Sequence, residues 1–162
     1  MNERHFTLGV LVDNKYGVLT RVSSLFSRRG FNIDSLTVGE TDDPAVSRMT
    51  VVSSGDDHTL DQIVKQLLKL VDVRNITVLE PDSTVYRELM LIKVKAKAGK
   101  RTEIMEAVNV FRANVVDLAP DTLTAELTGS SSKLDAFIEY VRPFGIEELC
   151  RTGITAMSRG KK

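Results

Sequence analysis

Two asparagines and a glycine offer the most useful chemistry in the chain. Asn14 and Gly17 stand in the polar turn Asn14-Lys15-Tyr16-Gly17, and Asn32 opens a later extended segment. A helix start presents unpaired N–H groups and a partial positive charge, which suit a carboxylate or a phosphate. Gly17 permits close backbone approach, and an asparagine amide can both donate and accept. With Val18, Leu19 and Ile33 as an apolar wall, the set suits a small amino acid. Its carboxylate would meet the helix N–H groups, its ammonium an oxygen, and its side chain the wall. On the residues alone, a plain turn with capping asparagines explains the same pattern equally well.

Catalytic constellations are scarce. His5 lies near a terminus and His58 in a polar turn, where a solvated imidazole is the expectation and no metal spacing surrounds either. Cys150 is the only cysteine, which excludes an internal disulfide and any multi-cysteine metal site; it reads as a buried filler thiol. Gly99-Lys100-Arg101-Thr102 lacks the earlier glycine of a phosphate-cradling loop and places its threonine one position late. Asp42-Asp43 and Arg28-Arg29 read as solvated charge, since a hard cation needs several more oxygens than two carboxylates supply. No nucleophile elbow is present, and Ser130-Ser131-Ser132 reads as a helix N-cap.

The bulk numbers exclude several partner classes. The 162 residues are 42% hydrophobic and 27% charged, which is neither disordered nor membranous, and 22 basic residues cancel 22 acidic ones. No stretch approaches about 18 uninterrupted apolar residues and the opening lacks a secretory layout, so a soluble cytoplasmic protein is expected. Single-strand RNA readers use the strand-helix order found below but stack bases on aromatic residues. The strand Ser47-Arg48-Met49-Thr50-Val51-Val52 has none.

The elements that position the turn follow from periodicity. Phe6, Leu8, Val10 and Val12 alternate as a strand, and Val18, Val22, Leu25 and Phe26 recur at helical spacing up to Gly30, a C-terminal cap. Strands at 32–38 and 47–52 flank the turn Thr41-Asp42-Asp43-Pro44. A helical stripe runs from Leu60 to Val71, and a fourth strand occupies 73–79. Residues 81–86 read as a linker. The same β-α-β-β-α-β order then recurs, with strands near 89–94, 115–118, 123–127 and 146–157, the last interrupted at Gly153, and helical stripes through Ile104 and Leu134. The expected fold class is therefore α+β, two tandem ferredoxin-like βαββαβ units: a first domain at 1–80 and a second at 87–162. Each sheet should carry both helices on one face. Apolar residues on both faces of the first two strands (Leu11 beside Val10, Leu36 and Val38 beside Ile33) predict that another copy covers the open face and edge.

A longer pattern bears on function. Asp13-Asn14 with Gly17-Val18-Leu19, then Phe26-Ser27-Arg28-Arg29-Gly30-Phe31-Asn32-Ile33-Asp34-Ser35-Leu36-Thr37-Val38, resembles the small, regulatory subunit of acetolactate (acetohydroxyacid) synthase. The likeness continues through Ser47-Arg48-Met49-Thr50, Arg87-Glu88-Leu89-Met90-Leu91-Ile92-Lys93-Val94 and Lys133-Leu134-Asp135-Ala136-Phe137. The resemblance implies an N-terminal ACT domain that dimerises and binds amino acids at the dimer interface, and a C-terminal ferredoxin-like lobe. It implies a non-catalytic chain that activates a large catalytic subunit and confers feedback inhibition by valine. Thiamine diphosphate, FAD and magnesium would sit on that partner, with no cofactor or metal in this chain and no nucleic-acid or membrane partner. Asn14, Gly17, Val18, Leu19, Asn32 and Ile33 match the family's valine pocket. Gly39 takes a position where relatives often carry another small residue, which bears on pocket size.

Overall fold

The computed structural model describes residues 4–160, so Lys161 and Lys162 of the basic tail lie outside the described residues. The chain forms two compact units. One comprises the described residues through Val85 together with those from Ile154 onward, and the other is Tyr86–Gly153.

In the first unit β1 (Arg4–Asp13), β2 (Ser35–Glu40), β3 (Val46–Gly55) and β4 (Val73–Leu79) make an antiparallel sheet of order β2-β3-β1-β4, with α1 (Val18–Arg29) and α2 (Asp57–Leu67) as crossovers. Phe6, Leu8, Val10 and Val12 of β1 join Met49 and Val51 of β3 under Val18, Val22 and Phe26 of α1 and Ile63 and Leu67 of α2. Burying each such side chain is worth about 1.5–3 kcal/mol, and this layer sets the register of the sheet. Gly30 ends α1 in the left-handed conformation (φ 70°), its N–H returning to the Ser27 carbonyl at 3.2 Å. Asp56 caps α2, accepting from the Thr59 N–H at 2.8 Å.

The second unit repeats the order. β5 (Thr84–Lys95), β6 (Asn114–Leu118), β7 (Thr122–Gly129) and β8 (Ile146–Arg151) lie as β6-β7-β5-β8, with α3 (Arg101–Val110) and α4 (Ser131–Val141). Ser130 caps α4, as its serine run predicts, accepting from the Lys133 N–H at 3.3 Å. Met90, Ile92 and Val94 pack with Ile104, Leu127, Leu134 and Phe137 in a separate core. The tandem ferredoxin-like architecture is thus as expected.

Several details differ from expectation. Residues 81–86 form a turn of 3-10 helix at Pro81–Ser83 and the first residues of β5. β2 begins at Ser35 rather than Asn32, because Asn32 turns its amide Nδ2 onto the Asp34 carboxylate before the ladder starts. α2 ends at Leu67, leaving Val71 outside the apolar stripe and 93% exposed. Leu36 and Val38 oppose Val51 and Met49, so they share the helix-facing side and do not mark the open one. Cys150 is exposed, not buried, because its register opposite Leu91 puts it on the side away from the Met90 and Ile92 core.

The largest departure concerns the last strand, β9 (Thr155–Ser158), which returns to the first unit although the expected second domain ran to residue 162. It crosses the open face of the first sheet. The Ala156 N–H donates to Thr50 Oγ1 (3.4 Å), Arg48 Nη2 donates to the Ala156 carbonyl (3.0 Å), and the Ile154 N–H donates to Ser35 Oγ (3.0 Å). Ala156 is 2% exposed. Gly9 faces this layer, and a Cβ there would stand 2.7 Å from Arg48 Nη2, so the glycine makes room for the guanidinium. The face assigned to another copy is covered in this part by the chain's own C-terminal strand.

A chain ending at Gly153 should therefore leave Arg48 without its carbonyl acceptor and Thr50 and Gly9 uncovered. Its melting temperature should fall by several degrees, as expected for a loss of about 1 kcal/mol or more. A wild-type melting curve for the truncated chain would contradict this packing.

Candidate functional site

The turn between β1 and α1 is held from three sides. The Asp13 N–H donates to the Asp72 carbonyl (2.8 Å), the Asn14 N–H to the Ala45 carbonyl (2.8 Å), and the Lys15 N–H to Asp13 O (3.0 Å). Asn14 Nδ2 donates to Glu40 Oε1 (3.0 Å) and to the Pro44 carbonyl (2.9 Å). Both donors of the amide are thus engaged, and Oδ1 is the atom that could accept from an ammonium.

Gly17 precedes α1 with φ 82° and ψ −5°, a left-handed conformation that a β-carbon disfavours. No side chain caps the helix, and its first turn carries no acidic residue. The Val18 N–H reaches back to the Lys15 carbonyl (3.4 Å), so among the described residues the Leu19 and Thr20 N–H groups are the donors left without a backbone partner at the positive end of the helix dipole. Val18 is buried in the core beneath, while Leu19 is exposed beside the turn. Asn14, Gly17, Val18 and Leu19 are brought together, as the spacing suggests.

Asn32 and Ile33 are not part of that cluster. They follow α1, whose twelve residues span roughly 18 Å at 1.5 Å per residue. Asn32 is exposed; its carbonyl accepts from Ser53 Oγ (2.5 Å), and Ile33 is half-buried against the first core. The six residues of β2 run between these two ends. Ser35 begins the strand near Asn32, and Glu40 ends it at Asn14. Among the described residues β2 pairs with β3 alone, and it carries neither proline nor lysine to blunt its outer edge. A Cβ at Gly39 would meet nothing within 4 Å, so this stretch of the edge is open.

Charged neighbours complete the site. Arg21, one turn into α1, donates through Nε to Asp72 Oδ2 (2.7 Å), and its Nη1 would stand 3.0 Å from a Cβ on Gly17. Lys15 and then Arg74 hydrogen-bond Asp13 (2.7 and 2.6 Å) and hold its carboxyl below its ordinary value of 3.8. Arg21, Glu40 and Asp72 were not singled out from the sequence. Of these only Arg21 carried a signal, its i+4 spacing from Gly17 on one helix face. Among the described residues no group of three His, Cys, Asp or Glu side chains is arranged to hold a metal ion.

Two tandem ferredoxin-like units, the first with a glycine-led helix start beside the edge strand of its sheet, define an ACT-domain chain. A family model described as an AHAS small subunit-like ACT domain matches residues 8–75, and one described as the small subunit of acetolactate synthase matches residues 87–160. The chain belongs to the acetolactate synthase small-subunit family. It is 54% identical over 156 residues to a probable acetolactate synthase small subunit of Methanothermobacter thermautotrophicus, covering 96% of this chain and 93% of that one. It is 51% identical to an acetolactate synthase small subunit of Mycobacterium bovis, covering 100% and 96%. The crystal structure of the small subunit from Thermotoga maritima superimposes with a TM-score of 0.92 at 43% identity, covering 98% of this chain and 99% of that one.

Two outcomes follow from the geometry. Gly17→Ala should cost about 1–2 kcal/mol in a denaturant melt through its left-handed backbone; an unchanged midpoint would contradict the conformation. Asp13, whose folded pKa is depressed, contributes stability above its ordinary value that is lost as pH falls through the folded value. Asp13→Asn should therefore flatten the fall in melting temperature between about pH 5 and pH 3. An Asp13→Asn profile parallel to that of the wild type would contradict the pairing.

Proposed function

We propose that the chain is the regulatory subunit of acetolactate synthase, raising the activity of a large catalytic subunit and making it sensitive to valine. The observation that carries this reading is the outward-facing, uncapped start of α1 beside Asn14, in a chain of the small-subunit family. In this reading the ligand carboxylate meets the Leu19 N–H and takes the Val18 N–H from the Lys15 carbonyl (3.4 Å), beside the Gly17 backbone. Asn14 Oδ1 accepts from the ammonium. Asn32 and Ile33 of a second copy supply the other polar contact and the apolar end. Two copies joined antiparallel along β2 about a two-fold axis would place the Asn32 end of each beside the Asn14 end of the other, which removes the separation of roughly 18 Å within one chain.

The condensation chemistry, with its thiamine diphosphate, FAD and magnesium, then belongs to the partner in the cytoplasm, and this chain supplies control of branched-chain amino acid synthesis. Valine must bind the activating and non-activating states of the complex unequally, and coupling of about 1–3 kcal/mol suffices for a marked response. A pocket that reads one methylene discriminates by only about 1–3 kcal/mol, so leucine and isoleucine should compete with valine at higher concentration.

The test is the activity of the catalytic chain with and without this protein, each titrated with valine. Activation without valine and its loss with valine are expected. Gly17→Asp should retain activation and lose the valine response, since the new carboxylate occupies the ligand's position and repels its charge. Unchanged inhibition in that variant would discredit the site. A wild-type chain that binds amino acids but never associates with the catalytic chain would instead be a free-standing sensor.

A further inference from the structure

A groove of about 350 Å³ runs between α1 and α2 in the first unit. Arg21, Arg28 and Arg29 line it from α1 and Lys69 from the segment after α2, over Leu25 and Leu70. Ion pairs elsewhere in this unit neutralise Arg4 with Asp57, Lys65 with Asp61 and Arg74 with Asp13. In the groove only Arg21 has a carboxylate, that of Asp72. Arg29 Nη2 reaches the neutral amide of Gln66 (3.2 Å), and Arg28 Nε reaches a carbonyl of its own helix (3.4 Å). Among the described residues no carboxylate pairs with Arg28, Arg29 or Lys69.

In a chain whose 22 positive and 22 negative residues balance, this leaves a local excess of positive charge on a concave, apolar-floored surface. Leu68 and Val71, 58% and 93% exposed, border Lys69 and Leu70 in sequence. Arginines around exposed aliphatic side chains are the composition of a protein interface rather than of a site for a small free anion. The groove is also continuous with the candidate effector site, since Arg21 lines the one and lies over Gly17 in the other.

We propose that the groove between α1 and α2 docks an acidic segment of the catalytic subunit, with Arg28, Arg29 and Lys69 as its cationic anchors. The proposal rests on the reading that a catalytic subunit is the partner, and it names the surface. Affinity of the purified catalytic chain would be measured by titration calorimetry against wild type, the Arg28→Glu/Arg29→Glu pair, Lys69→Glu alone and a control, Lys97→Glu, in the second unit. Folding of each is checked by circular dichroism, and the neutral Arg29→Gln serves if the double reversal does not fold. The groove reversals should weaken binding roughly tenfold or more and flatten its salt dependence, while the control binds as wild type. If the wild-type chain binds no catalytic subunit, the regulatory reading falls and this proposal with it. If wild type binds and the groove variants bind equally well, the groove alone is overturned. Loss of self-association with catalytic binding intact would assign the groove to a second copy and also overturn the proposal.

Discussion

The length of α1 is the constraint on which the rest of the site depends. The twelve residues of α1 carry the chain from the Asn14–Gly17 turn to Asn32 and Ile33, and α1 cannot shorten, because Val18, Val22 and Phe26 must meet the sheet before Gly30 ends the helix ahead of β2. The proposed site is therefore divided, its two halves lying at opposite ends of one helix with β2 running between them. Neither proposed half holds enough groups for an amino acid. A carboxylate cradle without an apolar end and an apolar end without a cradle are each weak, and a two-fold operation is the simplest way to join them.

The first sheet meets its two open surfaces differently. Its face is covered from within by β9, whose short strand uses backbone groups at Ala156 to satisfy Thr50 and one nitrogen of Arg48. Among the described residues no strand pairs with its β2 edge. In the proposed assembly the β2 edge meets a partner copy, and the α1–α2 groove, on the helical side of the same sheet, meets the catalytic subunit. The N-terminus of α1 touches both concerns through Arg21, which bonds Asp72 at the end of the α2 connection while lying over Gly17.

Much of this was legible from residue patterns. Period-two alternation located β1, helical spacing located α1, and the capping roles of Gly30 and Ser130 followed from residue type alone. What was not legible depends on contacts far apart in sequence. β9 is four residues long, and its side-chain partners Arg48 and Thr50 lie more than 100 positions away, so nothing local announces where it packs. Gly9, inside a strand and opposite Thr50 and Thr77, was the available hint that another backbone approaches. Exposure of Cys150 turned on a one-residue question of register against Leu91, which composition does not decide. The separation of Asn32 from Asn14 was implicit in the helix length, and only the location of both ends on one sheet made it a statement about assembly.

The central claim is that the amino-acid site is shared between two copies, with Asn14 from one and Asn32 from the other. Valine binding by calorimetry to Asn14→Ala, Asn32→Ala and an equal, reassociated mixture of the two tests it most directly. Each variant alone should bind poorly. Each mixed dimer should contain one site with both asparagines intact, so the mixture should recover about a quarter of the wild-type capacity at wild-type affinity. A mixture that recovers nothing while wild type binds valine, or single variants that bind as wild type does, would contradict the shared site.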